Sequence, residues 1–187
     1  MSSSSPVAEV PTLTTARFTM RPLRRGDEHA LFPTLGDPEQ CLYLSREAFA
    51  SPQELWDWLA APDWPGMTWI AVDENGEVAG RFVAFPAHEE RVLEIGYITC
   101  AARQQQGVAR ECTAALVDHL FASGMARKLT AVVDTGNAAS ARLIESLGFT
   151  REATFREHET THVGLCDVWV YGRLASDPPP PPTTPPA

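Results

Sequence analysis

The chain has 187 residues, 44% of them hydrophobic, and a formal net charge of −9. That length suits one domain with one core, and no apolar run approaches the roughly 20 residues needed to span a bilayer. The negative charge disfavours binding along nucleic acid, and the opening Met1-Ser2-Ser3-Ser4-Ser5-Pro6 lacks the basic and apolar segments of a secretion signal, so a cytoplasmic location is expected.

Along the chain, residues 1–12 are Ser-rich and without periodicity, a loose arm. Residues 17–21 alternate polar and apolar, as a half-buried strand does. Asp27 is placed to cap a short helix running to Leu35. Ser51-Pro52-Gln53-Glu54 is a capping box with proline at the first helical position, and its helix presents Leu55, Trp58 and Leu59 on one side. Residues 69–72 and 78–85 read as strands joined through Asn75-Gly76, a hairpin signal. Residues 92–99 form the next strand.

Val108, Cys112, Ala115, Leu116 and Leu120 then recur at helical spacing as far as Gly124. Residues 128–133 are a short β-branched run. Asn137 is placed to cap a helix over 138–147, which stops at Gly148. Residues 149–155 and 166–174 close the pattern as two strands, with His158 and His162 in the turn between them. The last stretch, 176–187, is proline-rich and extended: a solvated tail or a ligand for a proline-binding partner. Antiparallel strands followed by a strand–helix–strand–helix segment predict an α/β (α+β) fold, a mixed, mostly antiparallel sheet of about seven strands flanked by about four helices, over residues 13–175.

Cys41, Cys100, Cys112 and Cys166 lie far apart, without metal-ligand or paired spacing. This speaks against zinc and against a disulfide framework. Buried thiols are the reading, with Cys112 weighed as a nucleophile that has no local histidine to activate it. His29, His88, His119, His158 and His162 do not cluster at ligand spacing either, so no metal is expected.

The segment Arg103-Gln104-Gln105-Gln106-Gly107-Val108-Ala109-Arg110 carries the most chemistry. It links a strand to a helix N-terminus, where the first backbone N–H groups lack internal partners and the helix dipole adds positive charge. Gly107 and Ala109 keep side chains out of the way of an approaching phosphate, and Arg103 and Arg110 flank the turn as local cations. The alternative is an ordinary strand-to-helix turn.

Four stretches together carry a family resemblance over residues 13–174. They are Met20-Arg21-Pro22-Leu23 with Asp27; Glu94-Ile95-Gly96-Tyr97-Ile98 leading into Gln104-Gln105-Gln106-Gly107-Val108-Ala109; Asn137-Ala138-Ala139-Ser140 with Leu147-Gly148-Phe149; and Phe155-Arg156-Glu157-His158 with Gly164, Asp167 and Val170-Tyr171. The chain resembles the GNAT superfamily of acetyl-coenzyme A-dependent N-acetyltransferases, and within it the ribosomal-protein N-terminal acetyltransferase-like branch. The resemblance implies acetyl-CoA as co-substrate, with pantetheine paired to the backbone of Ile98 and Thr99. It places the pyrophosphate on the turn of Gln104, Gln105, Gln106, Gly107, Val108, Ala109 and Arg110. Asn137 would orient pantetheine or substrate.

Departures matter as well. Many relatives have a proton-donating tyrosine where this chain has Ile144, and others a glutamate base where it has Val132. Ser140 matches a proposed proton donor of the similar branch. Glu94, on one strand face with Gly96 and Ile98, is the candidate base; the alternative is an exposed strand glutamate. Trp56, Trp58, Trp64 and Trp69 surround the region that the resemblance makes the acceptor wall, which would suit an apolar or cationic acceptor. The partners implied are an amine acceptor, either a peptide N-terminus or a small molecule, and a second copy in a homodimer. No nucleic acid or membrane is implied. The rival from another class is a non-catalytic acyl-CoA-binding or sensing domain.

Overall fold

In the computed structural model, which describes residues 10–180, two short strands lead the chain: β1 (Leu13–Thr14) and β2 (Thr19–Pro22). Helices α1 (Asp27–Leu35) and α2 (Pro52–Leu59) follow, then the strands β3 (Met67–Val72), β4 (Val78–Pro86) and β5 (Val92–Thr99). A 3₁₀ turn at Ala101–Arg103 leads into α3 (Val108–Ala122), β6 (Lys128–Asp134), α4 (Ala138–Ser146) and the long hairpin β7 (Thr150–Thr161) and β8 (Gly164–Leu174). All eight strands join one sheet in the order β1-β2-β3-β4-β5-β6-β8-β7. Every pair is antiparallel except β5 with β6. The expected mixed sheet is therefore present, with one strand more than anticipated because the two-residue β1 docks on β2.

Local chemistry explains the elements. Ser51 Oγ accepts from the Glu54 amide at 3.2 Å, and the Glu54 carboxylate reaches back to the Ala50 N–H at 2.8 Å, a capping box displaced by one residue. The β3–β4 turn closes around Asp73, whose carboxylate accepts from Asn75 and Glu77 amides, while Gly76 takes a left-handed φ of 81°. Asn137 Oδ1 accepts from the Ser140 N–H at 3.0 Å and so caps α4 as expected. Asp27 is a correction. The residue ahead of α1 is Gly26, which offers no side-chain cap; Asp27 sits inside the helix, bound by both terminal nitrogens of Arg21 at 2.8 and 2.7 Å. A bidentate partner on β2 outcompetes a single backbone amide.

Strand alternation sorts the side chains onto two faces. On one, Trp69, Ala71, Phe82, Ala84, Ile95, Leu129 and Ala131 pack against Val108, Cys112, Leu116 and Leu120 of α3 and Ile144 of α4. Full burial of each Val, Leu, Ile or Phe side chain in that row is worth about 1.5–3 kcal/mol. On the other face, Ile70 and Val72 pack against Leu31 and Leu35 of α1 and Leu55 and Leu59 of α2. Trp58, expected beside Leu55 and Leu59, is 37% exposed and rests on Phe49 at the rim.

Two boundaries differ from expectation. The residues expected to form a turn at 158–162 continue β7 as far as Thr161, paired to Gly164 on β8. Of the arm and tail, residues 1–9 and 181–187 lie outside the described residues; from Val10 the chain is docked, with Pro11 O accepting from Trp69 Nε1 at 2.8 Å. At the other end Ala175 and Asp177 are tied by hydrogen bonds to Arg127 and Leu174.

Candidate active site

The sheet opens at β5 and β6. The two strands pair only at Val92↔Lys128, Leu93↔Leu129 and Glu94↔Thr130, after which no register joins them. On its other side β5 stays paired to β4 through Thr99. Residues 95–99 therefore present one backbone edge to a crevice, with Glu94 at its vertex. An unpaired strand edge within a sheet is a template for an extended ligand, and Ile98 and Thr99 lie on that stretch.

The crevice leads to the turn before α3. Gln105 and Gly107 both have positive φ, 58° and 76°. The Gln104 and Gln106 side-chain amides are engaged at Gln40 Oε1 (2.7 Å) and Ala102 O (3.0 Å), which braces the turn on either side. Among the described residues, the backbone N–H groups of Gln105, Gln106, Gly107, Val108 and Ala109 have no acceptor. Five amides, on exposed or half-exposed residues except for the buried Val108, surround a left-handed glycine at the start of a 15-residue helix, a concave set of donors that suits an anion. A Cβ on Gly107 would meet Arg17 Nη2 at 3.3 Å and would force an unfavourable φ. The chemistry of this cradle and the open β5 edge suit a pyrophosphate joined to an amide-bearing arm.

The cations around the turn are not the pair expected. Arg103 turns away and binds Asp73 and Glu77 of the β3–β4 hairpin, both at 2.6 Å. Arg17, which sequence reasoning passed over, takes its place: its guanidinium donates to Gln106 O at 3.0 Å and pairs with Glu111 at 2.7 Å. Arg110 does border the site, with Nε at 3.3 Å from Ser146 Oγ. Arg17, Gly107, Arg110, Leu147 and Pro180 line a groove of about 410 Å³ beside the turn.

Glu94 is half-buried, and burial first, then the nearby Glu159 carboxylate, push its pKa up to about 7. A carboxyl group so placed changes protonation near neutrality, as a general base must. Glu159 comes from the part of β7 expected to be a turn, so the sequence held no signal for this pairing. Across the crevice, Ser140 Oγ lies 2.7 Å from the Tyr97 hydroxyl. Tyr97 projects from β5 to the α3/α4 face, the opposite side from Glu94, and its phenol is pushed up to about 12, chiefly by burial. The only earlier hint was its place in the Gly96-Tyr97 dipeptide.

Several further positions resolve. Ile144 is fully buried, so no side chain there reaches the crevice. Cys112 is fully buried with its thiol pushed up to about 12 by burial, and is inert as a nucleophile. Trp69 points into the α3/α4 core and not to an acceptor wall; Trp58 and Trp64 flank Arg81 on the α1/α2 side, and Trp56 of α2 packs under the Arg25 guanidinium at 4.8 Å. Among the described residues no cluster of His, Cys, Asp and Glu is arranged to hold a metal, and no helix is long and apolar enough to cross a membrane.

Comparison with known proteins agrees with this geometry. Residues 17–150 match the family described as the acetyltransferase (GNAT) domain. The chain is 29% identical to an uncharacterized N-acetyltransferase p20 of Bacillus licheniformis, covering 87% of this chain and 96% of that one. It is 30% identical to the uncharacterized protein YkkB of Bacillus subtilis, covering 78% and 88%. Among solved structures, a GNAT-family acetyltransferase from Bacillus anthracis superposes with a TM-score of 0.82 at 18% identity, over 89% of this chain and all of that one. A spermidine N-acetyltransferase from Vibrio cholerae, solved with CoA and spermine, gives 0.74 at 21% identity, over 85% and 96%. With an opened β5–β6 crevice, a cradle of free amides at α3 and a family match over most of its length, this chain is an acetyltransferase of the GNAT family.

Proposed function

We propose that the protein transfers the acetyl group of acetyl-CoA directly to the primary amine of a small molecule, in one ternary complex. The observation that carries this reading is Glu94 at the vertex of the crevice, on the α1/α2 face, with its pKa raised to about 7. When bound, the coenzyme supplies an activated acyl group as a thioester. The amides of 105–109 would hold its pyrophosphate, with Val108 and Arg110 at the start of α3, and the free edge at Ile98 and Thr99 would pair with its arm. Asn137 contributes by fixing the α4 N-terminus at the crevice.

Glu94 would take a proton from the acceptor ammonium, directly or through one water, so that neutral nitrogen meets the carbonyl carbon. As the N–C bond forms and the C–S bond breaks, Ser140 Oγ would donate a hydrogen bond to the sulfur, held in place by Tyr97. The acylated nitrogen would release its second proton, and the departing thiolate, with a pKa near ~8.5, would take one up, both through solvent. Proximity supplies much of the remaining acceleration.

The resemblance to the ribosomal-protein branch points to a peptide N-terminus as acceptor; the Vibrio cholerae neighbour, which binds spermine, supports a small amine. Incubation with acetyl-CoA and a panel of amines and peptides, read by thiol release, tests the reading. Turnover with small amines that drops in E94Q is expected. Acetyl-CoA binding with no turnover on any acceptor would instead establish the non-catalytic domain, a reading that Ile144 in place of the tyrosine favours.

A further inference from the structure

On the α1/α2 face, beside the crevice, three polar atoms are buried without a partner among the described residues: Arg81 Nε, Trp64 Nε1 and Thr68 Oγ. All three belong to neighbouring elements on that face. Arg81 on β4 is paired to Ile70, two residues along β3 from Thr68, and its guanidinium lies 4.7 Å from the Trp58 ring and 5.7 Å from the Trp64 ring. Arg81 is 7% exposed, and among the described residues no carboxylate pairs with it. Burial lowers its pKa to about 10, still well above neutrality, so the group keeps its charge. Two indole faces attract a cation, but they leave its N–H groups unsatisfied.

All three atoms can donate a hydrogen bond, and one belongs to a cation. Buried donors on one sheet face without an acceptor suit an oxoanion. This set also lies in line with the candidate base. Trp64 lies tilted against Phe85 at 5.3 Å between ring centres, and Phe85 is the residue paired across to Glu94. One face of the sheet thus carries a guanidinium at one end and the Glu94 and Glu159 carboxylates at the other.

We infer that Arg81, Trp64 and Thr68 form an oxoanion subsite for the acceptor, which is an amine that also bears a carboxylate some way along its chain, such as an ω-amino acid or short peptide. This rests on the acetyl-transfer reading and makes it more specific. The acceptor's ammonium goes to the Glu94 end and its carboxylate to Arg81. A polyamine satisfies the first end and is repelled at the second. The Trp64 indole covers the guanidinium, so its loop, residues 60–66, must shift for the carboxylate to enter.

The test uses matched acceptors with and without the carboxylate: β-alanine against propylamine, γ-aminobutyrate against butylamine, a dipeptide against its C-terminal amide, and spermidine. Each is assayed by thiol release with the wild type, R81M, R81K and T68V. The wild type is expected to favour the carboxylate member by at least about tenfold in kcat/KM. In R81M that ratio falls to near one, while R81K retains part of it and T68V lowers it less. In parallel, the carboxylate acceptors raise the melting temperature of the wild type and not of R81M, a readout that needs no turnover. Wild-type preference for spermidine or the plain amines, or an unchanged ratio in R81M and R81K, overturns the subsite. Absence of turnover with every acceptor, alongside acetyl-CoA binding, defeats the acetyl-transfer reading instead; the carboxylate-dependent melting shift then still decides the subsite.

Discussion

The two halves of the site are built from different materials. The turn before α3 is made of main chain: five amides, a left-handed Gly107 and a helix N-terminus, with side chains serving as braces. The acceptor side is made of side chains, Arg81, Thr68 and Glu94 from three strands, Trp64 from a loop and Glu159 from a distant hairpin. A main-chain site depends on local conformation, so its residues must be contiguous and its glycine fixed. A side-chain site depends on burial and register, and its members lie anywhere in the chain.

The sharpest way to break this contrast is at the glycine. G107V places a side chain at φ 76°, where the backbone costs about 1–2 kcal/mol, and screens the amides. Calorimetry should show acetyl-CoA affinity falling at least about a hundredfold, the loss of several hydrogen bonds to a charged group, while the melting curve stays cooperative. Retained affinity would mean that side chains, not amides, hold the anion.

Next in size is E94Q. Loss of a general base lowers kcat by about 10²–10⁴, with the KM for acetyl-CoA little changed. In the wild type, kcat/KM should rise with pH and level off above about 7, where Glu94 is ionised, and E94Q should lack that limb. Stability carries the same signature. An unfolded carboxylate titrates near 4.5 and the folded one at about 7, so the unfolded chain loses its proton first as pH rises. The Glu94 contribution to stability therefore declines between those values, and E94Q should gain on the wild type across that window and hold its advantage above it.

S140A comes third. A hydrogen bond to a developing charge is worth about 1.5–3 kcal/mol, or roughly 10–100-fold in kcat. Y97F, which removes only the group that positions Ser140, should cost about 2–10-fold, and rapid-quench turnover separates the two. The smallest effect is expected at Gln105, whose amide counts and whose exposed side chain does not. Q105A should change acetyl-CoA affinity less than about twofold.

The same contrast explains what could be read from the sequence. Hairpin, helix caps, β5 and the α3 turn are local devices: Asn75-Gly76, Ser51 with Glu54, and Gly107 announce themselves within a few residues. The mixed sheet followed from their order. Long-range choices were hidden. Asp27 reads as a cap until Arg21 is known to face it, and Arg103 reads as a phosphate ligand until the β3–β4 hairpin places Asp73 and Glu77 against it. Arg17 reaches Gly107 from ninety residues away, and Arg81 carries no motif. Glu94 lay between: its strand face was legible, while the burial and the Glu159 charge that raise its pKa are products of the fold.

Amide hydrogen exchange with and without acetyl-CoA tests the central claim most directly. The coenzyme should protect two separated segments together, the open edge at 95–99 and the turn at 105–110, and leave the paired β3 and β8 amides unchanged. Protection confined to other segments, or none at either, would contradict a coenzyme held on main chain between β5 and α3.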